Sequence, residues 1–338
     1  MITSEWPTPQ MPNIVPFVVR QVDSLRRDGI EVDVFHFRGS KSPFRYLTAW
    51  VRLRKKMHRS RYDLVHAQWG QSAVIAFPKK FPLVITFRGS DLRGLVGRNG
   101  KYNFTSAALR RLSRFVSRFA DKVIVVAEQL ARDLPAIDYQ VIPSGLDVEL
   151  FRPLSQQFAR ERLGLTGRKN LILFAADPAK PVKRFELASA AVSILREDLE
   201  AELVVTTGVP HEEMPYYMAA CDVLLLTSLH EGSPNVVKEA LACNLPIVSV
   251  DVGDVRARVG DLRGCVVCAD DRPATIARGL AKVLSAHEPI NGRQTIIDLD
   301  ERTLTQRLIQ LYREAVASSP RNATAGNPSS APLNITAT

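Results

Sequence analysis

Residues 223–250 read VLLLTSLHEGSPNVVKEALACNLPIVSV, and this stretch decides how the second half of the chain is interpreted. The apolar runs at its two ends, 223–226 and 247–250, have the length and composition of buried strands. Between them, Ser233 suits the N-cap of a helix and Pro234 its first position. The residues expected to form the buried stripe of that helix are Val236, Val237, Ala240 and Leu241. The stretch therefore predicts a strand, a helix and a second strand, which is the repeating unit of a parallel α/β sheet.

Two carboxylates flank the start of the predicted helix. Glu231 lies in the loop before it and Glu239 lies on it, with seven residues between them. A helix N-terminus carries unpaired N–H groups and partial positive charge, which suit an anion. Carboxylates would repel a phosphate, but they accept hydrogen bonds from the hydroxyl groups of a sugar or a ribose. A diphosphate at the helix start, with hydroxyl groups on either side of it, describes a nucleotide-diphosphate sugar.

The spacing of Glu231 and Glu239 resembles the E-x7-E element of the retaining glycosyltransferases of family 4, which have the two-domain GT-B fold. The other segments that resemble this family are Asp63–Ala67, Phe87–Asp91, Val141–Asp147 and Phe151–Pro153. Together they follow the family's order along the chain, and the resemblance covers residues 2–315. It implies a metal-independent enzyme that binds a nucleotide sugar on its C-terminal domain.

The resemblance also implies roles for individual residues. Glu239 would accept hydrogen bonds from the ribose and Glu231 from the sugar, which makes Glu231 a candidate catalytic residue. Lys183 matches a lysine that holds the diphosphate in the family. It is the second catalytic candidate, because a cation there would offset the charge that builds up on the leaving phosphate. The remaining donor-binding candidates at the helix start are Gly232, Ser233, Pro234 and Asn235.

The segment around Lys183 departs from the family at one position. The family's arginine has no clear counterpart there, and Lys180 or Arg184 could take its place in donor binding. The alternative interpretation is an ordinary basic loop that precedes a helix.

The N-terminal half departs from the family as well. Arg88 stands where the family often has a histidine. With Ser90 and Asp91 it would lie at the edge of the cleft, and these residues are acceptor-side candidates. His66 is a further candidate, although a histidine at the end of a buried strand more often has a structural role. Only Met1-Ile2-Thr3 stand where the family has its first strand, so we leave open whether that strand is missing.

The order of strand-like and helix-like segments predicts an α/β protein with two doubly wound, Rossmann-like parallel-sheet domains that face a cleft. The expected parts are an N-terminal acceptor-side domain (1–150), a linker (151–169), a nucleotide-sugar-binding domain (170–300), a helix returning toward the N-terminal domain (301–317) and a disordered tail (318–338). The first domain is expected to contain a helix at 16–27 and strands at 31–35, 64–67, 83–87 and 123–126. The strands expected in the second domain are 171–174, 203–205, 223–226, 247–250 and 265–268.

The charge of the chain is concentrated in its first half. Residues 1–150 hold 24 lysines and arginines against 13 acids, a net of +11, whereas residues 151–338 hold 21 against 22, a net of −1. Segments 44–57 and 109–119 have the pattern of basic amphipathic helices, which often lie on anionic membranes. If helical, the first would place Leu47, Trp50, Val51 and Arg54 on one side. The alternative is a core-packed helix whose basic face meets solvent.

The expected location follows from the same features. No apolar stretch is long enough to span a bilayer, and the chain does not open with a signal peptide. We therefore expect a cytoplasmic protein, with an anionic membrane surface at the inner face of the cell membrane, or an anionic acceptor, on its basic side. No base-reading or stacking motif appears, so a nucleic acid partner is not expected.

These observations predict a retaining glycosyltransferase, in the form of a hexosyltransferase, that acts in polysaccharide biosynthesis. It would move a sugar from a nucleotide-diphosphate sugar to a glycan, lipid-linked or other acceptor. We expect no cofactor and no metal, because the pair Asp298 and Asp300 lies near the last helix and not in a plausible phosphate-binding loop. The alternatives are a nucleotide-sugar epimerase on the same fold and a catalytically inactive nucleotide-sugar-binding protein. The sugar, the base and the acceptor do not follow from the sequence.

Overall fold

The computed structural model describes residues 1–319, apart from residues 13, 40, 41, 98–101, 103 and 168. Two parallel sheets, joined internally by helical crossovers, form its framework. The predicted fold class, two doubly wound parallel-sheet domains, is confirmed. Of the predicted disordered tail, residues 320–338 lie outside the described part of the chain.

The first sheet has six strands in the order β2-β1-β3-β4-β5-β6, all parallel. The strands are β1 (Ile2–Thr3), β2 (Phe35–His36), β3 (Val65–Gln68), β4 (Leu83–Phe87), β5 (Lys122–Val125) and β6 (Gln140–Val141). The helices of this part are α1 (Pro16–Arg27), α2 (Pro43–Arg59), α3 (Gly70–Ala73), α4 (Ser90–Arg93), α5 (Phe104–Ser117) and α6 (Glu128–Ala131), with a 3-10 turn at Val74–Ala76. The apolar run of β4 is buried along its whole length, as a central strand covered on both faces requires.

The sheet does contain a first strand, the point that the sequence left open. The two residues of β1 lie between β2 and β3, where Ile2 pairs with both Phe35 and Ala67. The second strand was predicted at 31–35, whereas β2 covers only Phe35–His36. Strand β1 begins at Ile2, which lies opposite Phe35. It therefore has no residues to pair with those that precede Phe35.

The second sheet has five parallel strands in the order β11-β10-β9-β7-β8. They are β7 (Asn170–Phe174), β8 (Ala201–Val205), β9 (Val223–Leu226), β10 (Ile247–Ser249) and β11 (Val266–Val267). The helices are α7 (Gln156–Leu163), α8 (Phe185–Leu195), α9 (Met214–Ala220), α10 (Asn235–Ala242), α11 (Val255–Val259) and α12 (Pro273–Ala286), with 3-10 segments at Pro181–Lys183, His211–Glu213 and Gly292–Leu299. The strand order reverses at β7, so the loops after β7 and β9 open a crevice at the carboxyl edge of the sheet, where such folds bind ligands.

The predicted linker 151–169 is partly helical. Within it, the Ser155 hydroxyl accepts a hydrogen bond from the Phe158 amide and caps α7. This helix packs on α9, and Arg160 Nη2 lies 2.9 Å from Asp222 Oδ2. Helix α7 is thus attached to the second sheet's part of the chain. The domain limits stay predictions.

The last helix, α13 (Glu301–Ala317), returns to the N-terminal part of the chain as predicted. Its buried face includes Leu304, Leu308, Leu311 and Tyr312. The Asp300 carboxylate caps it by accepting the amides of Arg302 and Thr303. It packs along α1, and Lys122 Nζ lies 2.9 Å from Glu314 Oε2 at its far end.

The face of α2 differs from the expected one. The helix buries Ala49, Leu53 and Met57, whereas Leu47 and Val51 are exposed. Trp50 and Arg54 turn inward and donate hydrogen bonds to backbone carbonyls of the 76–78 segment. An apolar stripe therefore remains on the outside of α2. In the described part of the chain, no helix has both the length and the apolar composition needed to cross a bilayer.

Candidate active site

The loops after β7 and β9 meet at the reversal of the second sheet, and they bring the two catalytic candidates together. Lys183 Nζ lies 2.5 Å from Glu231 Oε1. The loops are also joined through Thr227, whose hydroxyl donates to the carbonyl oxygens of Lys183 and Arg184 at 2.9 and 3.1 Å. Both charged side chains are only partly exposed. The two residues are far apart in the sequence, but β7 and β9 are neighbours in the sheet. A lysine and a glutamate therefore lie side by side in the crevice.

The two substitutes considered for the missing arginine lie in different surroundings. Arg184 donates from Nε to the carbonyl of Thr227 at 2.7 Å, and its Nη1 lies 2.5 Å from Asp271 Oδ2. Its guanidinium is therefore engaged in holding the loops together. Lys180 is exposed, and its charge acts on Glu5 of the N-terminal domain. Of the two, Lys180 has the side chain that is available to a ligand in the crevice.

The start of α10 lies one residue later than predicted. Asn235 is the first helical residue, Pro234 occupies the N-cap position, and no side chain caps the helix. The predicted cap by Ser233 is wrong, because its hydroxyl donates instead to Asp254 Oδ2 at 2.8 Å. That carboxylate also receives Arg258 Nε at 2.6 Å, so it is a strong acceptor in the next loop. The amides at the helix start are thus left without a side-chain cap, which is the arrangement that an anion can complete.

Glu239 lies on the inner side of α10 and is only 7% exposed. Its Oε1 is 3.9 Å from Nε2 of His211, which in turn accepts a hydrogen bond from Arg20 Nη1 at 2.5 Å. Burial, followed by the charge of Arg20, lowers the pKa of His211 to about 4, so the ring is neutral near pH 7. Burial raises the pKa of Glu239 to about 7, although Arg20 and Lys238 act in the opposite direction. The pKa of the Glu239 carboxyl therefore lies near neutral pH, and the neutral ring of His211 forms no ion pair with it.

The N-terminal domain closes on this centre through a backbone contact. A Cβ on Gly232 would lie 2.1 Å from the carbonyl oxygen of Arg88, and a Cβ on Gly89 would lie 3.0 Å from the Gly232 amide nitrogen. Glycine is thus required on the C-terminal side of the contact. Beside it, Arg93 Nη1 donates to the carbonyl oxygen of Glu231 at 3.1 Å. The Glu231–Gly232 peptide is held directly against the end of β4.

Of the acceptor-side candidates, Arg88 turns into the domain junction. Its Nε and Nη2 donate to Gln68 Oε1 at 2.9 and 2.7 Å, and Nη1 donates to the hydroxyl of Ser144 at 2.7 Å. The guanidinium carbon lies 4.7 Å from the centre of the Phe17 ring. Arg88 also lines a small pocket between the first sheet's part of the chain and α13, together with Gln21 and Thr305.

Asp91 is fully buried and acts within the protein. Its carboxylate accepts the amides of Gly70, Arg88 and Gly89 at 3.0 to 3.2 Å. Ser90 is partly exposed and opens the short helix α4. Asp91 thus fixes the loop that carries Arg88, and these contacts give it no direct access to an acceptor.

His66 is buried in β3. Its Nδ1 lies 2.6 Å from the hydroxyl of Tyr312 and its Nε2 lies 2.7 Å from Thr86 Oγ1. Both ring nitrogens are therefore occupied, and burial lowers the pKa of the ring well below its ordinary value. The histidine joins two strands to α13, which is the structural alternative given for it.

Several residues of the site were not predicted from the sequence. Arg20, Arg93, Lys238 and His211 all approach Glu231 or Glu239, as the contacts above show. Arg20 and Arg93 were counted only in the basic charge of the first half. The segment Val209-Pro210-His211 before α9 was available as a signal, since it follows β8 at the same carboxyl edge of the sheet.

Comparison with known families agrees with this architecture. The chain matches the family model "Glycosyltransferase Family 4" over residues 14–150 and the family model "Glycosyl transferases group 1" over residues 169–286. It is similar to the putative teichuronic acid biosynthesis glycosyltransferase TuaC of Bacillus subtilis, with 28% identity over 271 residues. That match covers 72% of this chain and 66% of TuaC, so the chain spans just under two thirds of that relative's length.

Two solved structures show the same fold. Sucrose-phosphate synthase from Thermosynechococcus elongatus has a TM-score of 0.75 at 18% identity, covering 90% of this chain and 93% of that one. HepE from Anabaena, in complex with UDP and glucose, has a TM-score of 0.70 at 16% identity, covering 92% of this chain and 98% of that one. Since the two family models together cover most of the chain and the fold is shared, the chain belongs to the glycosyltransferases with the GT-B fold.

Proposed function

We propose that this protein transfers a sugar from a nucleotide-diphosphate sugar to a glycan or lipid-linked acceptor, with retention of the anomeric configuration and without a metal. The observation that carries the proposal is the ion pair of Lys183 and Glu231, 2.5 Å long, in front of the uncapped start of α10. Three groups meet there, where the strand order of the second sheet reverses. They are a cation that suits a phosphate, a carboxylate that suits hydroxyl groups and a helix N-terminus that suits an anion.

Each group has a distinct part in the proposed reaction. The diphosphate would bind the amides at the start of α10 and draw Lys183 away from Glu231. Glu231 would then accept hydrogen bonds from the sugar, and Glu239, one turn into α10, would accept them from the ribose. As the glycosyl bond breaks, charge moves onto the diphosphate, and Lys183 stabilises it. Closure of the N-terminal domain on Gly232 would exclude water, which limits hydrolysis of the donor.

The relatives support the substrate class. HepE is described in complex with UDP and glucose and with UDP-glucose, which favours a uridine nucleotide sugar here. TuaC is described as acting in teichuronic acid biosynthesis, which favours a polysaccharide acceptor. Metal independence rests on the chain's own cation, Lys183, and on the engagement of Asp300 in capping α13.

A product assay tests the proposal. The protein is incubated with a panel of uridine and guanosine nucleotide sugars and lipid-linked or oligosaccharide acceptors, with and without EDTA, and products are identified by mass spectrometry and NMR. We expect an α-linked product from an α-linked donor, unchanged by EDTA. Inversion or loss of activity with EDTA would overturn the corresponding part of the proposal. Turnover of the donor without acceptor would instead favour the epimerase, and tight binding without any turnover the inactive binding protein.

We further propose that the protein works at an anionic membrane surface. Phe44 is 71% exposed, and Leu47 and Val51 continue its stripe along α2. Phe115 and Phe119 are exposed at the end of α5 and beyond it. The exposed basic residues beside these stripes include Arg52, Lys55, Arg59, Arg111 and Arg118.

The two stripes share one side of the first sheet. Helices α2 and α5 belong to crossovers that move in the same direction across the sheet, and right-handed crossovers of that kind lie on the same face. Phe77 links them, since its carbonyl accepts Trp50 Nε1 at 2.6 Å and its ring lies 5.9 Å from that of Phe119. Apolar side chains ringed by cations suit the boundary between lipid headgroups and acyl chains.

A further inference from the structure

Arg20 lies on α1 of the first domain, but its guanidinium group reaches a residue of the second. Its Nη1 donates to Nε2 of His211 at 2.5 Å, and its Nη2 donates to the carbonyl oxygen of Gly145 at 3.4 Å. Its Nε lies 3.5 Å from Oε2 of Glu301, at the start of α13. The function proposed above gives Arg20 no part, although its side chain is only 17% exposed.

The ion pair with Glu301 does not account for the position of Arg20. Arg27, on the same helix, lies 2.5 Å from Oε1 of Glu301 and so supplies that carboxylate with a nearer cation. Among the residues that the structure describes, Nε of Arg20 has no hydrogen-bond partner. The shortest polar contact of the Arg20 side chain is the one to His211. The guanidinium group is thus held chiefly by a ring of the other domain.

This contact fixes the tautomer of His211. A guanidinium group has N–H donors and no acceptor, so Nε2 of the imidazole must accept. A neutral imidazole carries one proton, which then belongs to Nδ1. Burial, followed by the charge of Arg20, lowers the pKa of His211 to about 4, whereas Glu212 and Asp147 act in the opposite direction. Near pH 7 the ring is therefore neutral, and its Nε2 has no proton to donate.

The same ring nitrogen lies near Glu239. Nε2 of His211 is 3.9 Å from Oε1 of Glu239, which is too far for a hydrogen bond. In the described part of the chain, no group donates a hydrogen bond to this carboxylate. A buried carboxylate without donors is unfavourable, so it takes a donor that comes within reach. With a proton on Nε2, the ring of His211 would be such a donor and would occupy an oxygen that a ligand needs.

We propose that Arg20 is a positioning residue for donor binding: it holds His211 in the tautomer that cannot donate to Glu239, and so leaves the Glu239 carboxylate free for the hydroxyl groups of a ribose. This inference rests on the proposed function and deepens it. Arg20 belongs to the first domain and the other two residues to the second, so the ribose site is set up only while the domains are in contact. Donor binding and domain closure are thereby coupled.

Arg20 also acts on Glu239 through its charge. It lowers the pKa of the carboxyl against the effect of burial, and Lys238 acts in the same direction from α10. Two further titratable groups beside the carboxyl are His211 and the thiol of Cys243. Loss of Arg20 therefore has two effects. A higher pKa of Glu239 weakens ribose binding near pH 7 and much less at pH 8.5, whereas a hydrogen bond from His211 weakens it at both.

The test uses calorimetric titration of the full chain with UDP at pH 7 and pH 8.5. Arg20→Met removes the donor groups and the charge, and Arg20→Lys keeps a donor and the charge. His211→Phe keeps a ring against Phe151 without a nitrogen, and it is made alone and combined with Arg20→Met. Arg27→Met is the matched control, because it removes a cation of α1 that pairs with Glu301 and not with His211. Circular dichroism and thermal unfolding check the fold of each variant.

The binding results expected at pH 8.5 are specific to competition by the ring. Arg20→Met should weaken UDP binding about 10-fold, the effect of one competing hydrogen bond. The double variant should return to within about threefold of wild type, since no imidazole remains to compete. Arg20→Lys, His211→Phe and Arg27→Met should each stay within about threefold of wild type as well. At pH 7 the loss in Arg20→Met should be larger than at pH 8.5. A residue that merely supported the fold would not be rescued by removal of a second side chain.

NMR observes the tautomer directly. Long-range proton–nitrogen correlation spectra of wild type should show His211 protonated at Nδ1, with the signal assigned by its absence from His211→Phe. In Arg20→Met the proton should move to Nε2. A proton on Nε2 in wild type would overturn the proposal even if no Arg20 variant folds.

Two binding results would also overturn it. One is a UDP affinity of Arg20→Met that equals that of wild type at pH 8.5, and the other is a loss that persists unchanged in the double variant. The function proposed above is judged separately, by Glu239→Ala. If that variant binds UDP as wild type does, the ribose contact itself fails, whereas dependence on Glu239 without any effect of Arg20 would reject only this inference.

Discussion

Lys183 Nζ and Glu231 Oε1 are 2.5 Å apart, so the two groups expected to act on the donor neutralise each other in the structure. A donor that draws Lys183 to its diphosphate releases the Glu231 carboxylate for the sugar. Binding of the two halves of the donor is thereby coupled, because neither group can serve its ligand while the pair is closed. The same pair explains how a carboxylate can remain beside a phosphate site without an energetic penalty from repulsion.

The first prediction concerns Lys183. Lys183→Ala should lower kcat about 100-fold, with a smaller change in the KM for the donor, since charge on the diphosphate grows as the glycosyl bond breaks. Initial rates at varied donor concentration measure both constants. Lys180→Ala removes the exposed donor-binding candidate of the same loop and is the comparison, and it should keep kcat within a few-fold. A near wild-type kcat for Lys183→Ala with a large loss for Lys180→Ala would transfer the role to Lys180.

The second prediction concerns donor affinity and Glu239. If its carboxylate accepts ribose hydroxyl groups, Glu239→Ala should weaken UDP binding by roughly 1–3 kcal/mol, the range for hydrogen bonds to a charged group. Because the pKa of Glu239 is about 7, wild type should also bind UDP less tightly at pH 6 than at pH 8. Calorimetry at both pH values tests this, with the variant showing no such difference. Equal affinities for variant and wild type at pH 8 would contradict the ribose contact.

The third prediction concerns stability at the same residue. Burial raises the pKa of folded Glu239 from 4.5 to about 7, so the folded state holds this proton more tightly than the unfolded state. The contribution of Glu239 to stability is therefore greatest below pH 4.5, falls between pH 4.5 and 7, and stays low above. Glu239→Gln removes the charge and keeps the shape. Urea unfolding should find the variant more stable than wild type at pH 8, by on the order of 1–3 kcal/mol, and equal to it near pH 4.5. A difference that does not change with pH would count against this explanation.

The fourth prediction concerns the contact between the domains. In Gly232→Ala the new methyl group would meet the Arg88 carbonyl oxygen at 2.1 Å, so the backbones must separate. We expect kcat/KM to fall at least about 10-fold, since small misplacements at a reacting centre are costly. The free energy of unfolding should change much less. Gly208→Ala is the control, because a methyl group there meets no atom within 4 Å and only its φ of +72° is unfavourable. Full activity of Gly232→Ala would show that the contact is not needed for catalysis.

Much of the fold followed from apolar runs in the sequence. Strand β4 and helix α1 lie at the predicted bounds, because an uninterrupted LVITF run and a Pro16 start with Gly29 just beyond the end leave few alternatives. The family resemblance assigned Lys183 and Glu231 to one donor site, but their direct ion pair was not predicted from the sequence. Side-chain orientation was harder to predict. Ser233 has the identity of a cap, but Asp254, which only the tertiary fold brings near, is the partner of its hydroxyl.

Burial of charged residues could not be predicted from local patterns. In the run Val236-Val237-Lys238-Glu239, a lysine and a glutamate would ordinarily mark the solvent face of a helix. Here α10 is covered on nearly all sides, so Lys238 and Glu239 are buried together with Val237. The groups that surround them come from distant parts of the chain, such as Arg20 and His211. On α2, by contrast, apolar residues stay in solvent: Leu47 and Val51 are exposed, and the Ala49–Leu53–Met57 stripe is the one that packs.

The last prediction concerns the exposed stripes on α2 and α5. Wild type should sediment with vesicles of anionic lipid at low salt, and binding should fall steeply toward physiological salt, because attraction between a basic surface and anionic headgroups is screened. Reversal of Arg52, Lys55 and Arg59 to Glu should abolish binding. These residues are preferred to Lys56, which is paired with Asp33 at 2.8 Å and whose loss would disturb the fold. Phe44→Ser with Phe115→Ser should weaken binding at every salt concentration, since burial of apolar groups is not screened.

The matched control reverses Arg278 and Lys282, exposed cations on α12 of the nearly neutral C-terminal half. That variant should bind vesicles as wild type does, which would separate a specific basic face from the overall charge of the protein. UDP affinity should be unchanged in all of these variants, because the proposed donor site lies on the other domain. Failure of wild type to sediment with anionic vesicles even at low salt would contradict the membrane proposal. In that case a concentration-dependent increase in molecular mass, lost in Phe44→Ser, would show instead that the stripes join copies of the chain.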